Sequence, residues 1–427
     1  RRHTRLAMST LAIPVPIAEH LLDASEVRAA DPSNGKQSIY LGLDTRLPAI
    51  TPERAREIKT KFPHFPTVYD QQAVRREYTL RLPRWFEDWA NRHLIADSRD
   101  TIMLSSLANM LMSTGVLSAL LFLYPSHKLG ITVVLFNSAM WLQRFILMMH
   151  YSEHRQLFAK NVDFLRYLMP WVMAPFYGIP IGMYRTHHIV MHHKENNMFK
   201  RDLSSTEPYQ RDSIVGFLHY LAMFWALTFL LPFWTLHKRN VTALGEVILG
   251  AGLWFMLQIM LFKHGHGLYA LYQFQIPFCI SSLALMFGNW SQHMFVHPEI
   301  ASSKELLSSY KYNCGLTINV MNHFDNQVAF NDGYHITHHV KPSTHWTEMP
   351  LEFLNNLERY AEHDPVVFDR VGFFDVGFNL VIRAKFDPDG AWKWLVDRFV
   401  HFTPERRSDE EVKRFLQERL RPIPPRR

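Results

Sequence analysis

Five stretches of this chain are too long and too poor in charge to fold as ordinary surface elements. Residues 102–124, IMLSSLANMLMSTGVLSALLFLY, carry no formal charge. Residues 130–149 follow after the short break PSHKL, and three more runs occupy 213–236, 247–262 and 268–288. A bilayer core about 30 Å thick is crossed by a helix of about 20 apolar residues. Buried helices of soluble proteins rarely run that far without a charge, so the competing reading, a large soluble helical protein, fits poorly. The pattern predicts an all-α integral membrane protein.

The charges between the runs suggest a topology, because Lys and Arg gather on the cytoplasmic side of membrane proteins. RRE (75–77), RWFEDWANRH (84–93), KENNMFKR (194–201) and HKRN (237–240) are the basic stretches. With all of them inside, the run 213–236 enters and leaves on one face and is interfacial. Two tight hairpins remain, giving four transmembrane helices at about 102–124, 130–149, 243–262 and 268–289. Arg144 shortens the second and is expected to snorkel toward the inner surface. Pro170, Pro175 and Pro180 interrupt the segment 157–184, which is expected to lie in the interface. The domain layout is a polar cytosolic N-terminal region (1–100), a transmembrane domain (101–350) and a cytosolic helical C-terminal region (351–427). The basic tail RPIPPRR reads as disordered.

Histidine is over-used, with 24 residues, and four groups stand out. HYSEH holds His150 and His154, and THHIVMHH holds His187, His188, His192 and His193. NWSQHMFVH holds Asn289, His293 and His297, and YHITHH holds His335, His338 and His339. Residues three or four apart share a helix face. On that rule His150 faces with His154, His188 with His192 and His193, Asn289 with His293, and His335 with His338 and His339. All lie at the inner ends of the second and fourth helices or in polar segments beyond them. Singly, each set reads as well as a chance or core pair. Together they predict interfacial helices and a cytosolic cap carrying a metal site. Neutral imidazole suits Fe, Zn, Cu or Ni, and eight or nine ligands exceed the needs of one ion, so two are expected. His187 points away from the 188/192 face, and Pro298 follows His297; these two are secondary candidates. Histidines outside the sets, among them His345 and His401, read as solvent or interface residues. Glu153, Asp325, Asn326, Asn331 and Asp332 are candidates for holding imidazole tautomers.

Other chemistries are excluded by composition. Cys279 and Cys314 are the only cysteines, which rules out a disulfide framework and a four-cysteine zinc site. The net charge is +7, with Arg and Lys gathered at the ends and beside the apolar runs. That suits an anionic lipid surface. No zinc-finger spacing or RNA-binding pattern appears, so nucleic acid is not an expected partner.

The boxes HYSEH, HHIVMHH and YHITHH, with NWSQH after the fourth helix, resemble those of the membrane fatty acid desaturase and hydroxylase superfamily. The resemblance spans about residues 100–350. It implies a di-iron centre that activates O2 against an unactivated C–H bond. It implies as metal ligands His150, His154, His188, His192, His193, His293, His335, His338 and His339, with Asn289 bound through a water and no other catalytic side chain. His187 is a departure, doubling a pair where one histidine is usual. The implied setting is a multi-pass protein of the endoplasmic reticulum membrane, if eukaryotic, or of the cytoplasmic membrane, if bacterial. Its substrate would be a fatty acyl or other long-chain lipid. Fatty acyl desaturation is the expected reaction, and hydroxylation of an alkyl or lipid substrate the alternative. A non-catalytic membrane metal-binding or transport protein is a third reading, but it would place histidines and acids at mid-membrane depth. O2 activation at two irons consumes two electrons. With no HPGG haem signature and no Gly-rich dinucleotide turn, an external cytochrome b5 or ferredoxin is the expected donor.

Overall fold

The computed structural model describes residues 40–42, 50–68, 70, 76–80, 82–299 and 309–423. Much of the expected N-terminal region and tail positions 424–427 lie outside these. The described chain is mostly helical. Five helices are long and apolar enough to cross a membrane: α1 (Ser98–Leu123), α2 (His127–His154), α3 (Ile214–His237), α4 (Val241–Lys263) and α5 (Gly267–Gln292).

Side-chain caps mark where most of these helices begin. Asp97 accepts from the Arg99 N–H at the start of α1, Ser126 from Leu129, Ser213 from Gly216 and Asn240 from Ala243. The α4–α5 turn passes through Gly265 at φ +80°, a conformation that favours glycine. On α4, Ile248, Leu249, Met256 and Ile259 are each more than half exposed. An apolar face this large suits lipid. By contrast α2 is the most enclosed of the five. Arg144 on it does not reach for the surface as expected; its neighbours enclose it and it is 6% exposed.

Between α2 and α3 the chain does not form one long helix. Short 3-10 and π turns cover Lys160–Tyr167, Leu168–Met173 and Ala174–Tyr177, as the spaced prolines require. Gly178, at φ +73°, then lets the backbone press against Pro277 of α5.

A polar layer adjoins the helices. Two small strand ladders, absent from the all-helical expectation, are built into the described residues. Tyr40–Gly42 pairs antiparallel with Arg76–Leu80, and β1 (Ile318–Met321) pairs in parallel with β2 (Val366–Asp369). Helix α6 (His335–Val340) sits on β1, where the Asn319 side-chain oxygen accepts from the Ile336 N–H at 2.8 Å. Just before α6, the Tyr334 hydroxyl donates to Asp70 at 2.8 Å. His345 is not the solvent or interface residue expected. It is fully buried, with Nε2 3.0 Å from Asp100 Oδ1, and Trp346 donates to the same oxygen. A buried imidazole needs such a partner, and this one ties the loop after α6 to the start of α1. His401 is buried as well, and its Nδ1 accepts from the Arg407 N–H.

The C-terminal residues close over this layer. Arg211 is fully buried and spends its guanidinium entirely on carbonyl oxygens. It donates to Met294 at 2.7 Å, to Thr206, Glu207 and Tyr209, and to Arg419 and Arg421 at 2.7 and 2.6 Å. The first residues of the expected disordered tail are therefore fixed: Arg421 accepts from Arg211, and Ile423 is buried and donates to the Glu207 carbonyl. Replacing Arg211 by Leu strands these carbonyls in an apolar environment. The Arg211→Leu variant should lose at least about 3 kcal/mol of stability. It should melt at lower temperature in detergent and be clipped faster near residue 420; an unchanged melting point would contradict this reading.

Candidate metal centre

The structure gathers the histidine sets into two adjoining groups. His150, His154, His188, His193 and His338 bring one ring nitrogen each to within 4.8 Å of one another. His192, His293 and His339 do the same. In the first group Nε2–Nε2 separations are 2.8 Å (His150–His338) and 3.1 Å (His154–His188, His188–His193, His193–His338). His335 flanks the second group, its Nε2 3.2 Å from that of His339. The groups touch where the rings of His193 and His339 stack at 4.7 Å.

The split between groups differs from the helix-face expectation. His188 and His192 do not act together; His188 pairs with His193. The cause is a π-helix over Thr186–His192, in which the His193 N–H bonds the His188 carbonyl five residues back. The wider π turn aligns residues five apart and turns His192 to the other group.

Each imidazole of the second group is held from behind. Among these contacts, His192 Nδ1–H donates to Asp202 at 2.7 Å, His339 Nδ1–H to the Asn196 side-chain oxygen at 3.0 Å, and His293 Nδ1–H to the Leu316 carbonyl at 3.3 Å. These bonds leave each Nε2 lone pair facing inward. His293 Nε2 is buried and has no hydrogen-bond partner among the described residues. Gln292 donates to Asp332 at 2.7 Å and lies 3.2 Å from His335 Nδ1. Asp332 is also 3.6 Å from His150 Nδ1. Burial, reinforced by neighbouring imidazoles, pushes His188, His193, His338 and His339 toward the neutral form that ligates metal. Burial alone would raise the Asp202 carboxyl, but the hydrogen bonds from His192 and Ser204 help hold it below the usual carboxylate range. Asp332 is held down to about 2 in the same way, burial being outweighed chiefly by His150 and His335. Facing lone pairs, an orphaned Nε2 and two buried carboxylates form a donor set that fits metal cations.

Of the expected supporting residues, Asp332 alone stands behind the histidines. Glu153 faces Arg185, 3.7 Å away. Asp325 pairs with His323, Asn326 donates to the Val320 carbonyl and Asn331 to that of Trp346, so these three build the loop before α6. Asp202, Asn196 and Gln292 were not foreseen. A signal existed for Asn196: the Asn196–Asn197 pair has φ of 46° and 58°, the left-handed conformation asparagine favours after a helix. For Asp202, ten residues past His192, no local spacing gives a signal. His297 joins neither group; its Nδ1 accepts from the Glu299 N–H. His187 also stays out, its ring edge-on to Phe224 at 5.6 Å. Asn289 donates to the Tyr220 hydroxyl at 2.6 Å.

A cavity of about 270 Å³ reaches the histidines from between the helices. Its lining is mostly apolar, with Leu142, Ile146, Leu227 and Phe278 among the walls; His150, His188, His192 and His335 line it too, as do Asn289 and His187.

A family model for fatty acid desaturases matches residues 126–371, more than half of the chain, including every histidine set. The chain belongs to the fatty acid desaturase family. The match begins at Ser126, the cap of α2, and runs past β2. No match is found among curated proteins. Membership, with the five apolar helices, makes this a multi-pass membrane protein of an oxygen-dependent oxidoreductase family.

Asp202→Asn keeps the shape but lets the His192 tautomer turn over. It should lower bound metal or turnover about 10–100-fold while the melting temperature changes little. Metal analysis and activity on one preparation check this, and wild-type values for both would show that Asp202 is merely structural.

Proposed function

We propose that the chain uses two irons and O2 to oxidise an unactivated C–H bond of a lipid, with fatty acyl desaturation as the reaction. The observation that carries the proposal is the mostly apolar cavity whose lining includes histidines of both groups, His150, His188 and His192. One iron would be held by His150, His154, His188, His193 and His338, the other by His192, His293, His339 and the flanking His335. Asn289, steadied by Tyr220, would hold a water beside them. The irons supply the oxidising power that no side chain provides. The rest belongs to the chain: the cavity walls exclude water and align the lipid, and Asp202, Asn196 and Asp332 fix the ring tautomers. Overall, desaturation converts –CH2–CH2– with O2, two electrons and two protons to –CH=CH– and two waters. The electrons come from an external cytochrome b5 or ferredoxin.

The same reading places α1–α2 and α4–α5 across the membrane, with α3 lying along its face. Contacts at both ends of α3 support this. Its start follows Arg211, whose carbonyl accepts from Trp290 near the end of α5. Near its other end Trp234 donates to the Arg201 carbonyl, and the adjoining Lys238 pairs with Glu195. Both ends thus meet the one polar segment 195–211. In a background lacking Cys279 and Cys314, Val215→Cys and His237→Cys should react with an impermeant thiol reagent from the same side of sealed vesicles. Labelling from opposite sides would make α3 a span.

Purified protein should hold about two irons per chain. Expressed in a host of simple lipid profile, it should yield lipids two mass units lighter. His192→Ala should abolish this, and His237→Ala, at an exposed position, should not. Lipids sixteen units heavier would make the reaction hydroxylation. Zinc without iron in active protein would end the di-iron reading.

A further inference from the structure

Ahead of α1, in the region expected to be polar and cytosolic, the helix Arg84–His93 leaves two tryptophans uncovered. Trp85 is 72% exposed and Trp89 44%. Residues four apart share a helix face, so Trp85 and Trp89 form one line. Arg84, Asp88 and Arg92, all exposed, form the line beside it. Phe86 packs against both tryptophans, with ring centroids 5.7 and 5.5 Å away. The opposite face is spent on the protein: Glu87 and Ala90 are buried, and Ala90 packs with Ile95 and with Leu104 of α1.

Two contacts fix the depth of this segment. At its end the Thr101 hydroxyl donates to the Asn91 side-chain oxygen at 2.6 Å. Just before it, the Leu80 N–H donates to Asn109 Oδ1 at 3.2 Å, and Asn109 Nδ2 donates to the Leu80 carbonyl at 2.9 Å. The chain therefore runs beside α1 from Asn109 back to Thr101. The α-helical part of α1, Thr101–Leu123, has 23 residues, which is about 35 Å of helix. With α1 across the membrane, a hydrocarbon core of about 30 Å measured from Leu123 ends near Leu104. Asn109 then lies about 7 Å inside that boundary. Leu80, beside it, is 55% exposed. Backbone at such a depth needs its polar groups satisfied by protein, and Asn109 does this for both groups of Leu80.

We propose that the helix Arg84–His93 lies half-immersed in the headgroup–acyl boundary of the bilayer. Trp85 and Trp89 face the acyl chains, and the Arg84–Asp88–Arg92 line faces water. This rests on the placement of α1 across the membrane given above, and it adds a lipid contact in residues that precede the family match. Tryptophan suits that boundary because its ring is apolar and its N–H polar. The anchor also meets the polar layer: Asn91 bonds Thr101, one residue past the Asp100 that holds His345.

The test places the full chain, lacking Cys279 and Cys314, in nanodiscs of phosphatidylcholine and phosphatidylglycerol. Spin labels go on Trp85→Cys, Asp88→Cys, Trp89→Cys, Arg92→Cys and Val116→Cys, one at a time. Labels at 85 and 89 should meet oxygen more than a water-soluble nickel complex, at depths of about 5–10 Å. Labels at 88 and 92 should do the reverse. The label at 116, a position 60% exposed on α1, should lie deeper than any of them. Nickel access at 85 and 89 equal to that at 88 and 92 overturns the proposal. Nickel access at 116 would instead overturn the placement of α1 on which the depth rests. If the cysteine-free background does not fold, lipid with brominated acyl chains decides. It should quench a larger fraction of the tryptophan fluorescence in wild type than in the Trp85→Ser, Trp89→Ser double variant, and equal fractions count against the proposal.

Discussion

Imidazole lone pairs that face one another at about 3 Å repel unless a cation lies among them, and rings free to rotate would turn away. The two histidine groups have such separations, 2.8–3.2 Å between Nε2 atoms. Rings are restrained on their Nδ1 side by carboxylate, amide or backbone oxygens, as at Asp202, Asn196 and Leu316. Those oxygens sit on a loop and at helix ends, and these must in turn be held. Asn319 and Asp70 fix α6, and Arg211 fixes the carbonyls around Thr206 and Met294. Much of the polar layer can be traced outward from this one electrostatic demand.

How much of this was legible in the sequence depends on the range of the signal. Charge-free runs report a helix in a membrane because length and composition suffice, and all five runs are helices. The histidine sets were legible as local spacings. Their division was not, because the i, i+4 rule assumes α geometry and the backbone at Thr186–His192 is a π-helix. Asp202 and Gln292 reach their histidines through tertiary folding, so no periodicity marks them. His345 failed for a related reason: its partner Asp100 is distant in sequence, and an isolated histidine looks alike whether buried or exposed.

Polarity misled at two further places. Arg144 in an apolar run suggested a side chain reaching for water, but α2 is enclosed there. RPIPPRR has a composition that favours disorder, yet backbone carbonyls and one isoleucine suffice to fix its first residues. Composition describes what a segment prefers alone. Here a buried guanidinium elsewhere in the chain supplies the missing donors.

The Arg211 contacts have a consequence for the order of assembly. Met294, one residue past His293, shares its guanidinium with Arg419 and Arg421. During synthesis the helices and all four histidine sets leave the ribosome well before those two residues do. Until they arrive, the guanidinium lacks two of its acceptors and the backbone beside His293 lacks its final brace. The brace beside His293 is therefore completed only after residues 419 and 421 have been made, later than the histidine sets themselves.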